Sequence, residues 1–198
     1  MAYTYYNSKT DGTPDQQMTS GLTDALFSTI TTAERVAGDQ EFRKVWITDS
    51  EDSTTYIGQY YPSGYISTVF LSASDSDVEA DLTGSEDRYG ALEVVSALET
   101  AVKVKNNTDY TLVRVGDTIV VDSAPYEVES ITDNGDGTSD ITATIDYKSV
   151  PGVGEWISSL FTMNLITATA KSFWTEEKIP TGATWLGSTE TTSLMIGK

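Results

Sequence analysis

Carboxylates are the main groups through which this chain could do chemistry, because its 198 residues include no His and no Cys. A Ser-His-Asp triad, a Cys nucleophile and a His/Cys zinc site cannot be built from it. One acidic cluster contains Asp75, Asp77, Glu79 and Asp81. Two carboxylates held roughly 5 to 10 Å apart can hydrolyse a glycosidic bond. In a chain with 30 acidic residues a solvated loop is the simpler interpretation, and we predict no catalytic residue.

A second acidic segment, residues 133–137 (Asp-Asn-Gly-Asp-Gly), partly resembles a calcium-binding loop. An EF-hand loop needs the pattern D-x-[DN]-x-[DN]-G and a Glu at position twelve. When Asp136 is placed at position five, Thr132 falls at position one and Ala143 at position twelve. Because neither residue supplies a carboxylate, the pattern indicates a glycine-rich hairpin turn. We predict no metal site and no cofactor.

A cluster of tyrosines could form a binding surface. Tyr56, Tyr60, Tyr61 and Tyr65 fall within ten positions of one another. Tyrosine rings can stack on sugars or peptides. Strands also use tyrosine for ordinary packing, which favours a core or an interface between proteins over a ligand site.

The charge balance limits the partners that this protein can have. The chain carries 12 basic and 30 acidic residues, a formal charge of −18, so it repels phosphate backbones and anionic membrane surfaces. We predict no nucleic-acid and no membrane partner, and we expect a charge-steered partner to be basic. The N-terminus shows no signal-peptide pattern and no apolar run is long enough for a membrane-spanning helix. Scarce cations are expected to be paired, within the chain or across a subunit contact, and they include Arg35, Arg43, Lys44, Arg88 and Arg114.

The two ends of the chain differ from its middle. Residues 1–19 are rich in tyrosine and turn residues, and they predict an extended N-terminal arm that is ordered only against something else. Residues 20–39 predict a short helix and a connection, since apolar residues between Leu22 and Ile30 fall on one helix face. Residues 187–198 form a C-terminal tail whose Leu-Met-Ile triplet should dock onto its own core or onto a neighbour.

Two β regions are predicted between these ends, at 40–105 and at 106–186. Runs rich in β-branched and aromatic residues around 41–48, 54–61 and 65–71 indicate strands. Residues 91–104 fit a helix face and a strand pattern equally well. Short strands separated by turn residues make the second region barrel-like, with 141, 143, 145 and 147 alternating onto one face. The predicted fold is mainly β, an antiparallel β-sandwich or small barrel with one short N-terminal helix and extended terminal arms.

Three segments carry a resemblance to a known class of protein. They follow the predicted helix in the order 38–48 (GDQEFRKVWIT), 115–121 (VGDTIVV) and 126–138 (YEVESITDNGDGT). In this order they resemble structural proteins of the tail and baseplate of tailed bacteriophages. The resemblance implies a non-enzymatic virion component of a contractile-tailed phage, made in the host cytoplasm. It further implies a homo-oligomer that bridges other tail or baseplate proteins.

The residues expected at such contacts are the aromatic arm, a cation pair and the apolar tail. These candidate interface residues are Tyr3, Tyr5, Tyr6, Arg43, Lys44, Leu194, Met195 and Ile196. One alternative is a glycan-binding β module on a phage or cell surface, with its site at the tyrosine cluster of residues 56–65. Another is an acidic glycosidase or lyase, which needs no histidine.

Overall fold

The computed structural model describes residues 4–8, 13–18, 32–61, 66–70, 74–182 and 193–197. These residues form a mainly β protein with antiparallel sheets and one short α-helix, as the sequence predicts. The helix α1 spans Thr32–Ala37, and a single 3-10 turn spans Glu79–Asp81. The strands are β1 (Thr4–Ser8), β2 (Pro14–Met18), β3 (Asp39–Thr48), β4 (Ser53–Tyr61), β5 (Ile66–Phe70), β6 (Arg88–Tyr89), β7 (Ala91–Leu98), β8 (Ala101–Lys105), β9 (Thr118–Val121), β10 (Ala124–Asp133), β11 (Thr138–Ala143), β12 (Trp156–Leu165), β13 (Lys171–Ile179) and β14 (Ser193–Gly197).

Six of these strands close into a small antiparallel barrel. The hydrogen-bonded order is β12-β7-β8-β11-β10-β9, and β9 pairs back onto β12. Burial alternates along each of β7, β8, β9 and β11 over the paired positions, so one face of every strand fills the barrel. The side chains inside include Leu92, Val94, Val102, Val104, Ile119, Val121, Tyr126, Val128, Ile141 and Ile157. Residues 91–104, which the sequence left open between helix and strand, are two strands of this barrel.

A β-sandwich adjoins the barrel and shares one strand with it. Its first layer is the sheet β2-β1-β3-β13-β5-β6, and its second layer consists of β14, β4 and the end of β12. Strand β12 pairs with β7 and β9 over its first half and with β4 over residues 161–165. The core between the layers contains Val45, Ile47, Ile57, Phe161, Met163, Leu165 and Phe173.

The two β regions predicted from the sequence interleave in the structure. Strands β12 and β13 come from residues 106–186, yet they pair with β3, β4, β5 and β7 of residues 40–105. The boundary between 105 and 106 therefore does not separate two packing units. Antiparallel partners can come from distant parts of a chain, and chain order alone does not fix them.

Both terminal segments pair with strands of their own chain, and for the C-terminal tail this is one of the two dockings that the sequence predicts. Strands β1 and β2 form an antiparallel hairpin, and β1 pairs with β3 of the same chain. Strand β14 pairs with β4, so the tail docks onto its own sheet. Without these pairings, β3 and β4 would each have an edge of unpaired backbone N–H and C=O groups. The helix predicted from residues 20–30 lies outside the described residues, and α1 begins just after it at Thr32.

Candidate functional site

The acidic cluster around Asp75 is folded against the sandwich. The Oδ1 atom of Asp75 accepts hydrogen bonds from the backbone N–H of Ser172 at 2.9 Å and from its hydroxyl at 2.8 Å. The Oδ2 atom lies 3.1 Å from Nζ of Lys171. Partial burial would raise the pKa of Asp75, but these hydrogen bonds and the lysine charge outweigh it and lower the pKa below its usual value. Asp75 is therefore an ionised anchor for its loop.

Lys44 fastens the same loop from the other side. Its Nζ donates hydrogen bonds to the backbone carbonyls of Asp75 at 2.5 Å and of Asp77 at 2.7 Å. The ammonium group also lies 4.9 Å from the ring centroid of Trp46 and 5.6 Å from that of Trp174. Burial lowers the pKa of Lys44, and the charges of Asp75 and Asp77 oppose this shift. The lysine thus links β3 to the loop through contacts within the chain.

These contacts correct one of the predicted interface residues. Lys44 is only 5 % exposed, so a partner could reach it only if the acidic loop moved. Its neighbour Arg43 has a side chain that is 41 % exposed and lies 3.1 Å from a carboxylate oxygen of Glu41. Successive residues of a strand point to opposite faces, which is why two adjacent cations have different environments. Of this pair, Arg43 is the residue that a partner can contact.

The other predicted interface residues lie on terminal strands. Tyr5 and Tyr6 belong to β1, opposite Ile47 and Trp46 of β3, and Tyr6 is half-buried. Tyr3 lies outside the described residues. The triplet Leu194, Met195 and Ile196 belongs to β14, opposite residues 59, 58 and 57 of β4. Both groups are therefore in sheets rather than on free arms, and β14 is the outermost strand of its sheet.

The tyrosine cluster proposed for glycan binding is only partly described. Tyr56, Tyr60 and Tyr61 belong to β4, and Tyr56 is half-buried. Tyr65 lies outside the described residues. Strand β4 pairs with β12 on one side and with β14 on the other, so its backbone edges are both engaged. The glycan-binding alternative remains a hypothesis.

The most buried charged side chain in the described residues is that of Glu176, which no pattern in the sequence singled out. Nε of Arg88 lies 2.6 Å from Oε2 of Glu176, and these residues are 3 % and 1 % exposed. The other oxygen, Oε1, accepts hydrogen bonds from the amide of Gln40 at 2.5 Å and from the hydroxyl of Tyr110. We call Gln40, Arg88, Tyr110 and Glu176 the ionic junction. It joins β3, β6 and β13 of the sandwich to the segment that leads into strand β9 of the barrel.

The electrostatics of the ionic junction favour one protonation state. The guanidinium carbon of Arg88 lies 4.5 Å from the ring centroid of Tyr110, which adds a cation–π contact. Burial raises the pKa of Tyr110, and the hydrogen bond to Glu176 and the charge of that carboxylate raise it further. Tyr110 therefore stays protonated and acts as a hydrogen-bond donor. The arrangement is suited to holding two parts of the fold together.

Arg114 extends this network toward the barrel. It donates hydrogen bonds to the backbone carbonyls of Arg88 at 3.2 Å and of Thr111 at 2.9 Å. Its guanidinium also lies 3.0 Å from a carboxylate oxygen of Asp87 and 3.8 Å from one of Asp117. The scarcity of cations in the sequence indicated that they would be paired, and Arg88 and Arg114 are paired within the chain. Asp117 is a local partner of Arg114, whereas the topology brings Glu176 to Arg88 and Asp87 to Arg114.

A further group of acids lies near the start of β3. Carboxylate oxygens of Glu34, Asp39 and Glu41 all lie within 4.8 Å of one another. Glu41 also pairs with Arg43, which offsets part of the negative charge. All three residues are half-buried, and neighbouring acidic groups are expected on a protein with net charge −18.

The comparisons with known proteins supply no relative. No match was found among protein-family models, curated proteins or solved structures. The resemblance to phage tail and baseplate proteins therefore stays a prediction from the sequence. Within the described residues, no helix has the length and apolar character needed to cross a membrane.

Proposed function

We propose that this protein is a non-enzymatic structural component of a bacteriophage virion, in the tail or the baseplate. In this role it assembles in multiple copies and bridges neighbouring tail proteins. The observation that carries the proposal is the position of the terminal strands. Strand β2 is an edge strand of one sheet, whose other edge is β6, and β14 is an edge strand of the other sheet. Edge strands present backbone N–H and C=O groups that can pair with a strand from another chain.

The remainder of the fold supports a rigid building block. The six-stranded barrel is closed, so each of its strands has a neighbouring strand on both sides. The cations Lys44, Arg88 and Arg114 make their contacts within the chain. Assembly through terminal strands on a rigid core allows one chain to repeat in a symmetric ring or to join different neighbours. Such joining is the work of a tail or baseplate component.

Mass spectrometry of gradient-purified phage particles that encode this chain tests the virion assignment. Its peptides should be present in the particles at several copies for each particle. Their absence from intact, infectious particles would overturn the assignment. If the purified protein instead binds immobilised glycans, and this binding is lost on Tyr60→Ala or Tyr61→Ala, that result would support the glycan-binding alternative.

Sedimentation velocity of the purified full-length chain tests the role of the terminal strand. We expect species larger than the monomer at high concentration. They should be lost or altered when Leu194, Met195 and Ile196 are all replaced by Ser. A matched control replaces Val115 and Ile166 by Ser, because these residues are 64 % and 57 % exposed and lie outside β2 and β14. Equal behaviour of the two variants would contradict assembly through β14.

A further inference from the structure

One end of the barrel displays a concentration of exposed apolar side chains. Seven large apolar residues are strongly exposed among the described residues, and four of them belong to this end. They are Leu98 at 69 %, Ile145 at 58 %, Val150 at 45 % and Val153 at 77 % exposure. We call these four residues the barrel-end surface. Groups of exposed apolar side chains on one part of a domain mark sites of protein interaction.

Two sets of backbone hydrogen bonds bring these residues to the same end. The N–H of Tyr147 donates to the carbonyl of Glu99 at 2.7 Å, which places the segment after β11 beside the turn between β7 and β8. Further along, Val94 exchanges hydrogen bonds of 2.8 Å with Gly154 and Glu155. The loop of residues 144–155 therefore runs beside the second half of β7. Leu98, from β7, is exposed next to this loop.

The loop is anchored by its inner face. Tyr147 is 2 % exposed, and its hydroxyl donates to the carbonyl of Ile141 at 3.0 Å. Its ring meets that of Tyr126 edge-on, with centroids 4.9 Å apart, and the hydroxyl of Tyr126 accepts from the N–H of Lys148 at 2.9 Å. Pro151 is buried as well. The exposed valines and isoleucine thus project from a fixed backbone, which reduces the entropy lost when a partner binds.

Strand geometry explains why Ile145 belongs to this surface rather than to the core. The sequence predicts that Ile141, Ala143, Ile145 and Tyr147 share one face. Strand β11 ends at Ala143, so the alternation stops there and Ile145 turns outward. Tyr147 is buried in the barrel core, and its N–H donates to the carbonyl of Glu99.

Acidic residues lie in the turns and the loop that carry the exposed apolar side chains. The turns and the loop at this end, residues 96–100, 122–123 and 144–155, contain four acids and one lysine. All five side chains are exposed, and they are Glu99, Asp122, Asp146, Glu155 and Lys148. A partner that covers the apolar patch therefore meets negative charge at its rim. Complementary charge at a rim speeds association and selects partners of opposite sign.

We propose that the barrel-end surface binds an amphipathic, basic segment of another protein. The apolar side chains of that segment cover Leu98, Ile145, Val150 and Val153, and its lysines or arginines face the acidic rim. A second copy of this chain is a poorer occupant of this surface, because the acidic rims of the two copies would face each other. The proposal concerns a surface distinct from the terminal strands and does not depend on the virion assignment.

Calorimetric titration of the full-length protein with a synthetic amphipathic peptide of leucine and lysine tests the proposal. The same peptide with glutamate in place of lysine serves as the charge control. We expect saturable binding of the basic peptide alone. Replacing Leu98 and Val153 together by Ser should weaken it at least about tenfold, the ratio that corresponds to about 1.4 kcal/mol. Replacing Val115 and Ile166 by Ser should leave it unchanged.

Three results would overturn the proposal. The first is an equal loss in both double variants, which would mean diffuse attraction between the peptide and an acidic protein. The second is self-association of the protein that disappears in the Leu98→Ser and Val153→Ser variant, which would assign the surface to a second copy. The third comes from hydrogen exchange on the unmodified chain, so it does not depend on how the variants fold. Adding the basic peptide should slow exchange at residues 96–100 and 144–155. Slower exchange only at other residues would refute the site.

Discussion

Replacement of Arg88 by Ala tests whether the ionic junction holds the fold together. The substitution removes the guanidinium 2.6 Å from Glu176 and leaves that carboxylate buried at 1 % exposure. It also removes hydrogen bonds from Arg88 to the carbonyls of Gly84 and Glu86. Breaking one side of a buried ion pair typically destabilises a protein by about 3–5 kcal/mol, because the remaining charge stays away from water. We expect a loss of about 4 kcal/mol in the free energy of unfolding, within that range.

A second ion pair in the barrel supplies the matched control. Nζ of Lys105 also lies 2.6 Å from a carboxylate oxygen, that of Glu93, but these two side chains are 58 % and 31 % exposed. Exposed pairs contribute about 0–1 kcal/mol, since water solvates both charges after the pair is broken. Lys105→Ala should therefore cost less than about 1 kcal/mol. The two ion pairs have the same distance between the charged atoms and differ in burial, and Arg88→Ala also removes two hydrogen bonds to backbone carbonyls.

Urea denaturation followed by tryptophan fluorescence measures both losses. With a slope of about 2 kcal/mol per M, a loss of about 4 kcal/mol moves the midpoint by about 2 M. Replacing both Arg88 and Glu176 by Met should recover a large part of the stability, because no buried charge is then left alone. Similar losses in Arg88→Ala and Lys105→Ala would refute the reasoning. So would a double variant that is less stable than Arg88→Met.

Two further predictions concern packing and pH. Gly58→Ala should lower the free energy of unfolding by about 1–3 kcal/mol, because the new Cβ would lie 2.4 Å from Cδ2 of Leu160. As a control, Gly152→Ala should change stability little, because its Cβ would meet only the flexible side chain of Glu155 at 3.3 Å. Equal losses of stability in thermal unfolding would contradict this prediction. Burial, followed by the charge of Tyr126, raises the pKa of Tyr147 from 10.0 to about 12. The stability that this hydroxyl contributes is therefore complete below pH 10 and is lost as the pH rises toward 12. Unfolding measured across that range should show this loss, and Tyr147→Phe should remove it.

The strands of the middle of the chain could be predicted because burial on one face leaves a period of two in the sequence. In the structure, burial alternates along the barrel strands at residues 118–121 and 138–143. Of the alternation predicted at residues 141, 143, 145 and 147, only Ile141 and Ala143 lie in a strand, because β11 ends at Ala143. Residues 91–104 carry apolar residues at spacings that fit a helix as well as strands. The neighbouring strands decide between helix and strand, because β12 pairs with β7 and β11 pairs with β8.

The terminal segments show where local pattern is insufficient. The tyrosines and turn residues of residues 1–19 indicate extended backbone, and β1 and β2 are extended. Nothing in that segment specifies β3 as the partner of β1, because backbone hydrogen bonds carry no sequence information. The same holds for the pairing of β14 with β4.

For the candidate sites, the sequence determined which chemical groups are present, and the tertiary structure decided which of them lie next to one another. The absence of His and Cys, the charge of −18 and the shortage of cations follow from the residues alone. That Glu176 meets Arg88, 88 positions away, follows from β13 lying between β3 and β5 while β5 carries β6 at the sheet edge. Likewise, the burial of Lys44 and the outward turn of Ile145 depend on which loop covers a strand and where a strand ends. Composition limits the chemistry available to a chain, whereas long-range strand pairing sets which groups are brought together and which are left exposed.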